Sequence, residues 1–109
     1  ELVGVLGHVD VVPVGEGWTH GPFEPTLRDG NLYARGVAGD KGPTIAGYYA
    51  LKIFKELGLP LSRRVRIIVG SDEESGMCCE ERFFETEEQL TLGFVPDAEF
   101  PIIHAGKCF

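Results

Sequence analysis

A histidine and a carboxylate stand two residues apart at the end of a short apolar run. The run Leu2–Leu6 leads through Gly7 into His8-Val9-Asp10. In an extended segment residues i and i+2 point the same way, so Asp10 can accept a hydrogen bond from one ring nitrogen of His8. The other nitrogen can then bind a metal ion while Asp10 orients the ring. Taken alone, a His-x-Asp pair is more often an ordinary strand-end pair.

A second candidate ligand is Asp40, in the glycine-rich turn Gly39-Asp40-Lys41-Gly42 just before a predicted helix. Glycine lets the backbone approach a bound ion closely. A carboxylate has two oxygens and can therefore bridge two metal ions. The alternative is that Asp40 only complements the positive end of the helix dipole.

Two more acidic motifs follow strand-like segments. Asp72, Glu73 and Glu74 come after Val65–Val69, and Asp97 comes after a second short apolar segment. Adjacent carboxylates repel one another unless water or a cation screens their charge, so the plain interpretation is a solvated acidic turn. The alternative is one metal ligand beside one general base, with the charge of the metal keeping both ionised.

Hydrophobic periodicity and turn residues predict the elements that position these motifs. The predicted elements are a strand over Leu2–Leu6, a hairpin over Leu27–Tyr33 with an Asp-Gly turn, a helix from Gly42-Pro43, a strand over Val65–Val69, a helix over about Cys79–Thr86, and short strands at Phe94-Val95 and Ile102-Ile103. The long segment from Pro13 to Pro25, rich in glycine and proline, is predicted to be irregular.

The helix that begins at Gly42-Pro43 has the clearest pattern. Proline suits the first helical position, and Gly58 suits the position just after the last turn. Apolar residues at 3.6-residue spacing predict the face that packs on a sheet. That stripe is Ile45, Ala46, Tyr49, Ala50, Ile53, Phe54 and Leu57.

The alternation of strands and helices predicts an α/β fold with a mixed, largely parallel sheet flanked by helices. In such sheets ligands bind beyond the carboxyl ends of the strands. The His, Asp and Glu motifs all fall at strand or helix ends, so the pattern predicts that they form one site.

Composition excludes several classes of function. The 109 residues carry a net charge of −7, which argues against a nucleic-acid partner because phosphate binding needs clustered Lys and Arg. Apolar runs are far shorter than the roughly 20 residues that span a bilayer, so we expect no membrane segment. The three cysteines, two of them adjacent at Cys78-Cys79, fit a reducing compartment, and we expect a cytoplasmic protein. The chain begins without Met and directly in a strand-like run, so we expect it to be part of a longer protein.

Taken together and in this order, the motifs resemble those of the M20 metallopeptidases, a family of dipeptidases, carboxypeptidases and aminoacylases. The dipeptidase V and Xaa-His dipeptidase branch is the most similar. Three stretches carry that likeness, Gly7–Thr19, Pro22–Pro25 and Tyr33–Val37, and the likeness extends over nearly all of the chain. The resemblance implies that residues 1–109 form part of a zinc-peptidase-like catalytic domain, without its lid domain and without its C-terminal part.

The resemblance also implies a ligand set for two zinc ions, with cobalt or manganese as other possible metals. His8 and Asp97 are expected to bind the first ion, Glu74 the second, and Asp40 to bridge both. A cis peptide bond is expected after Asp40. The bound metals leave a position open for water.

Two further roles follow from the same resemblance. Glu73 is expected to be the general base that activates the water, and Asp10 is expected to orient His8. The implied substrate is a small peptide, mostly a dipeptide, and the implied reaction is hydrolysis of its amide bond.

Several features depart from the family pattern. The second zinc needs another histidine from further along the full enzyme, and His20 and His104 are both interpreted as ordinary loop or strand-end residues. Gly39 stands where the branch usually has an acidic residue. We therefore expect the isolated 109-residue chain to be inactive. Two other functions stay open: an N-acyl amino acid deacylase or carbamoyl amidohydrolase with the same metal motif, and a non-catalytic binding domain.

Overall fold

The structure is a computed structural model that describes residues 1–97 and 102–103. In chain order its elements are β1 (Leu2–His8), β2 (Thr26–Arg28), β3 (Asn31–Tyr33), α1 (Gly42–Glu56), β4 (Arg64–Gly70), α2 (Cys78–Thr86) and β5 (Leu92–Phe94). A short irregular segment, Val37–Lys41, leads into α1.

The main sheet has three strands in the order β4-β1-β5, and β1 is parallel to both of its neighbours. The central strand β1 is an apolar run with its first residue, Leu2, only 3% exposed. Helix α1 follows the irregular segment and contacts both β1 and β4. The predicted α/β fold with a parallel sheet flanked by helices is therefore confirmed. The predicted strand at Ile102-Ile103 is wrong, because these two residues lie outside any strand.

The predicted hairpin is present as the antiparallel pair β2 and β3. Its turn residues Asp29 and Gly30 both have positive φ, 50° and 76°. Positive φ at both central residues is the requirement of the two-residue turn that matches the twist of a hairpin. Local sequence therefore decided this element.

Helix α1 begins and ends where its sequence predicts. Pro43 stands in the first turn, and Gly58 follows the last turn with φ of 62°. The Gly58 N–H donates to the Lys55 carbonyl at 3.2 Å, and the Leu59 N–H donates to the Phe54 carbonyl at 3.0 Å. This pair of bonds satisfies carbonyls of the last turn that have no partner inside the helix.

The predicted packing face of α1 is wrong. The apolar stripe points away from the sheet, since Ile45, Tyr49 and Ile53 are half or more exposed. The face toward β1 instead carries small residues: Thr44 is buried, and a Cβ at Gly47 would lie 3.1 Å from the Val5 side chain. Small side chains let the helix approach the strand closely, whereas the larger stripe would hold it away.

The second helix, α2, starts one residue before its predicted position. Asp72 precedes it and accepts a hydrogen bond from the Cys78 N–H at 3.2 Å and another from the Ser75 hydroxyl. These bonds lower the pKa of Asp72, the Ser75 hydroxyl contributing most. Asp72 therefore stabilises the turn between β4 and α2, and its carboxylate is directed at this turn.

The irregular segment between β1 and β2 is held by contacts to one carbonyl. The Val14 carbonyl accepts hydrogen bonds from the Trp18 indole at 2.8 Å and from the Arg35 guanidinium at 2.6 Å. The Arg35 guanidinium also lies 5.2 Å from the Trp18 ring centre, within cation–π distance.

None of the helices in residues 1–97 is long and apolar enough to cross a membrane.

Candidate metal centre

The carboxyl ends of the three parallel strands meet at one edge of the main sheet. His8, the last residue of β1, is in register with Gly70, the last residue of β4, and the Val9 N–H donates to the Gly70 carbonyl at 3.0 Å. The segment after β4 therefore starts beside His8, and Asp97 follows β5 on the other side. Parallel pairing brings motifs that are up to 89 residues apart onto one edge.

The His8 ring is almost fully buried, with 2% of its surface exposed. Nδ1 lies 3.1 Å from the Asp10 carbonyl and 3.2 Å from the Asp10 carboxylate, and both of these oxygens are acceptors. Nδ1 must then carry a hydrogen, and a neutral ring has its lone pair on Nε2. Nε2 is the nitrogen that a metal ion would bind.

The surroundings of His8 Nε2 consist of carboxylates. Asp97 Oδ2 lies 3.1 Å from Nε2, and Glu73 Oε2 lies 3.8 Å from it. A ring lone pair and a carboxylate oxygen are both acceptors, so this approach needs a proton or a metal ion between them. Two ligand atoms of a tetrahedral zinc, each about 2.0–2.1 Å from the ion, lie about 3.3 Å apart. The spacing of Nε2 and Asp97 Oδ2 fits a shared divalent cation.

The two carboxylates after β4 support the same position for a cation. His8, Glu73 and Glu74 each offer one ligand atom, and these atoms all lie within 4.8 Å of one another. Nitrogen from one histidine with oxygens from carboxylates is a donor set that zinc accepts and that cobalt and manganese also accept. The residues present therefore fit one bound divalent cation.

Asp10 connects the end of β1 with the segment that follows β4. Its Oδ1 accepts from the Glu73 N–H at 3.1 Å and lies 3.2 Å from His8 Nδ1, while its Oδ2 accepts from the Glu74 N–H at 3.0 Å. The contact that the predicted orienting role requires is present. Asp10 also holds the main chain of both candidate carboxylates after β4.

The electrostatics follow from this crowding of carboxylates around one ring. Burial lowers the pKa of His8, but the hydrogen bond to Asp97 and the negative charges of Glu73, Asp10 and Asp97 outweigh it, so the pKa is raised. Burial raises the pKa of Glu73. The positive charge of His8 opposes this increase, but the neighbouring carboxylates add to it, so the pKa of Glu73 is raised overall. For Asp10, burial raises the pKa, but the N–H groups of Glu74 and Glu73 lower it below its ordinary value overall.

The Asp40 carboxylate makes a different set of contacts. It is fully buried, and its Oδ2 accepts hydrogen bonds from the Thr44 hydroxyl at 2.8 Å and from the His8 N–H at 3.3 Å. Asp40 is also not part of the group formed by His8, Glu73 and Glu74. The cis peptide bond joins Gly39 to Asp40, so the expectation of a cis bond after Asp40 is wrong by one residue.

Two residues around Asp40 were not singled out from the sequence. Thr44 follows Asp40 by four residues, a spacing that places a helix residue above the turn before it. Gly7 leaves the space that the Asp40 carboxylate occupies, since a Cβ there would lie 2.6 Å from Asp40 Oδ2. The position of Gly7 beside His8 was the only available signal. His20 lies against Tyr33 with ring centres 5.9 Å apart and is not part of the group formed by His8, Glu73 and Glu74, and His104 lies outside the described residues.

Comparison with known families agrees with this arrangement. The sequence profile of peptidase family M20/M25/M40 matches residues 4–106. The chain belongs to this peptidase family. Peptidases of the M20 type are generally metal-dependent, and the group of candidate ligands lies at the expected edge of the sheet.

Individual relatives agree with the family assignment. The chain is 59% identical over 107 residues to a Bacillus subtilis protein named "Putative dipeptidase YtjP" and 55% identical to a Staphylococcus haemolyticus protein named "Putative dipeptidase SH1171". These matches cover 98% of this chain and 23% of each relative, so the chain spans about a quarter of their length. Human carnosine dipeptidase 1 is 30% identical with a TM-score of 0.70, over 89% of this chain and 22% of that one. This M20 chain therefore shares sequence with proteins named as putative dipeptidases, and its fold with human carnosine dipeptidase 1.

Proposed function

We propose that this chain carries the metal-binding edge of a dipeptidase, an enzyme that hydrolyses the amide bond of dipeptides. The observation that supports this most is the approach of His8 Nε2 to Asp97 and Glu73, at 3.1 and 3.8 Å. A buried imidazole lone pair facing carboxylates favours a bound cation, the family is a peptidase family, and the relative in Bacillus subtilis is named a putative dipeptidase. His8, Asp97 and Glu74 are proposed to hold the metal, with zinc as the proposed ion.

Each remaining residue of the site has a proposed role. A bound divalent cation lowers the pKa of water and polarises a carbonyl oxygen. Glu73 is proposed as the general base: it takes a proton from the attacking water and passes it to the leaving amine. Asp10 is proposed to keep Nε2 of His8 directed at the ion through its contact with Nδ1, and it holds the Glu73 main chain as well. Fixing the base and the ligand through one carboxylate keeps their separation constant.

Three broader proposals accompany this function. Residues 1–109 form part of the catalytic domain of a larger enzyme, whose lid and C-terminal part lie elsewhere. By resemblance, the proposed number of zinc ions is two. Two ions need a carboxylate that they share, and this chain supplies an incomplete set of ligands for such a pair. A cytoplasmic location is supported by Cys78 and Cys79, which are free thiols.

The deciding experiment compares the full-length protein with its Glu73→Gln variant in saturating zinc. Glutamine keeps the size and one oxygen of the side chain but cannot accept a proton. We expect the two proteins to have equal metal content, measured by mass spectrometry of the bound metal. Dipeptide turnover by Glu73→Gln should be lower than that of wild type by about 10²–10⁴-fold. Glu16→Gln removes the same charge from an exposed loop and is the matched control.

Other outcomes would support the other functions. Turnover of N-acyl or N-carbamoyl amino acids without turnover of dipeptides would move the assignment to a deacylase or carbamoyl amidohydrolase. Metal binding with no turnover of any of these substrates would favour a binding domain. Equal dipeptide turnover by wild type and Glu73→Gln would remove Glu73 from the mechanism.

A further inference from the structure

Residues 39 and 40 are adjacent, but they are directed at different parts of the molecule. A Cβ placed on Gly39 would lie 3.7 Å from Asp97 Oδ1, and Asp97 is part of the carboxylate group around His8 Nε2. The Asp40 carboxylate is instead directed at Thr44 in α1 and at the main chain of β1. Position 39 therefore faces the candidate ligands, whereas position 40 faces the contact between helix and strand.

The Asp40 carboxylate is already used by the protein itself. Its Oδ2 accepts two hydrogen bonds, from the Thr44 hydroxyl and the His8 N–H, and lies against the space left by Gly7. A carboxylate that bridges two ions through both oxygens needs both of them directed at the ions. Its Oδ1 is buried and has no hydrogen-bond partner among residues 1–97 and 102–103, so Oδ1 is the one atom of Asp40 left for an ion. A bridge through both oxygens does not fit this arrangement.

The backbone at position 39 does not require glycine. Gly39 has φ of −128° and ψ of 100°, an extended conformation that any residue adopts. Within the described part of the chain, the nearest atom to its hypothetical Cβ is Asp97 Oδ1, at ordinary van der Waals distance. A side chain fits there, and a carboxylate at this position would point toward Asp97. Two carboxylates brought this close repel each other unless a cation lies between them.

We propose that position 39, not Asp40, is the position from which a carboxylate could be shared between two metal ions, and that glycine there leaves the site complete for one ion only. Asp40 acts as a structural anchor that joins the end of β1 to α1. This inference rests on the proposed function, because it concerns the metal site of that peptidase. The protein binds one divalent cation tightly and a second one weakly, and a carboxylate at position 39 tightens the second site.

The test measures metal stoichiometry and affinity rather than turnover. Full-length wild type, Gly39→Asp and Gly39→Asn are stripped of metal and titrated with zinc by calorimetry. We expect one tight ion in wild type and in Gly39→Asn, and two in Gly39→Asp, with the second dissociation constant at least about 10-fold lower than in wild type. Losing a residue that only supports a metal ligand changes metal affinity by about 10–100-fold, so an added carboxylate beside the ion should change it by at least the lower figure. Asparagine has the same size without the charge, so it controls for packing.

A second readout is thermal stability without and with zinc. Without metal, Gly39→Asp should unfold at a lower temperature than Gly39→Asn, since its added charge lies beside Asp97. Saturating zinc should raise its unfolding temperature more than that of Gly39→Asn. Equal responses of the two variants to zinc would overturn the proposal.

The role of Asp40 is tested separately with Asp40→Asn and Asp40→Ala. Asparagine keeps an acceptor oxygen for Thr44 and His8 but replaces the other oxygen with an amide nitrogen, so we expect wild-type metal stoichiometry. Alanine removes the anchor, and we expect a lower unfolding temperature that asparagine largely restores. Two tight ions in wild type, with one lost in Asp40→Asn, would make Asp40 a metal ligand and overturn the inference while the proposed function stands. Failure of wild type and Gly39→Asp to bind any metal would overturn the proposed function itself.

Discussion

At the scale of single residues, Asp10 connects three residues of the candidate site. Its two oxygens hold the Nδ1 side of His8 and the N–H groups of Glu73 and Glu74. Hydrogen bonds to a charged acceptor are stronger than those between neutral groups. One carboxylate thus positions a proposed ligand at the end of β1 and a proposed base in the segment after β4.

Replacing Asp10 should weaken metal binding without removing a metal ligand. Asp10→Ala is expected to raise the zinc dissociation constant by about 10–100-fold, the usual effect of losing the partner that orients a ligand histidine. Calorimetric titration of the full-length protein measures it. Glu16→Ala removes an exposed carboxylate of the same charge and should leave the constant unchanged. Equal zinc affinity of Asp10→Ala and wild type would show that His8 needs no orienting partner.

Gly7 matters because it has no side chain where β1 meets α1. A Cβ there would overlap the Thr44 hydroxyl and lie 2.6 Å from Asp40 Oδ2. Gly7→Ala should therefore push α1 from β1 and lower the free energy of unfolding by about 1–3 kcal/mol. Denaturant unfolding measures the change. Gly39→Ala is the control, since its Cβ has room, and an equal loss in both variants would contradict this explanation.

At the scale of elements, the end of α1 shows how a local signal can be strong enough to decide structure. Gly58 has φ of 62°, a conformation that costs a residue with a Cβ about 1 kcal/mol, and its N–H caps the helix. Gly58→Ala is expected to lower the free energy of unfolding by about that amount. Asparagine tolerates this conformation better, so Gly58→Asn should lose less. Denaturant midpoints of the two variants provide the comparison, and an alanine variant as stable as wild type would argue against the cap.

Strand β4 and the segment after α2 are joined by an exposed ion pair whose effect should depend on pH. The Arg64 guanidinium donates to both oxygens of Glu88, one of them at 2.9 Å, and this hydrogen bond lowers the pKa of Glu88 below its ordinary value. A carboxylate with a lowered folded-state pKa adds stability above its unfolded-state pKa, and that contribution is lost as pH falls through the folded-state value.

The corresponding variant is Glu88→Gln. Its denaturant midpoint should lie slightly below that of wild type at neutral pH, because exposed ion pairs contribute little. The difference should vanish in acid, below the lowered pKa of Glu88. Raising the salt concentration at neutral pH should also shrink it. A difference that persists in acid would mean that packing, not charge, accounts for it.

At the scale of the whole molecule, the described chain exposes a large apolar face on α1. Ile45, Tyr49 and Ile53 are each half or more exposed on the side away from the sheet. Contiguous apolar surface of this kind usually contacts another part of a protein. The polypeptide of residues 1–109 alone is therefore expected to bind a hydrophobic dye more strongly per residue than the full-length protein.

The isolated polypeptide of residues 1–109 is also expected to show no dipeptide turnover above background. Turnover by the isolated chain near that of the full-length protein would contradict the expectation that the site needs parts outside it.

Much of the fold could be predicted because its signals are local. The hairpin depends on Asp29-Gly30, the ends of α1 on Pro43 and Gly58, and the strands on short apolar runs. The predicted strand at Ile102-Ile103 failed, because an apolar pair alone does not supply a hydrogen-bonding neighbour. The stripe on α1 failed for a related reason: periodicity identifies an apolar face but not what covers it.

The sequence by itself determined the family, the parallel sheet and the order of His8, Asp10, Glu73, Glu74 and Asp97 along the chain. Because parallel strands end at one edge, that order was enough to predict that these residues meet. Only the tertiary structure showed which of positions 39 and 40 faces the candidate ligands. The contacts of Asp40 come from His8 and Gly7, more than 30 residues earlier in the chain, and from one face of α1. The direction of a side chain in an irregular turn depends on such distant partners, and spacing along the chain does not contain them.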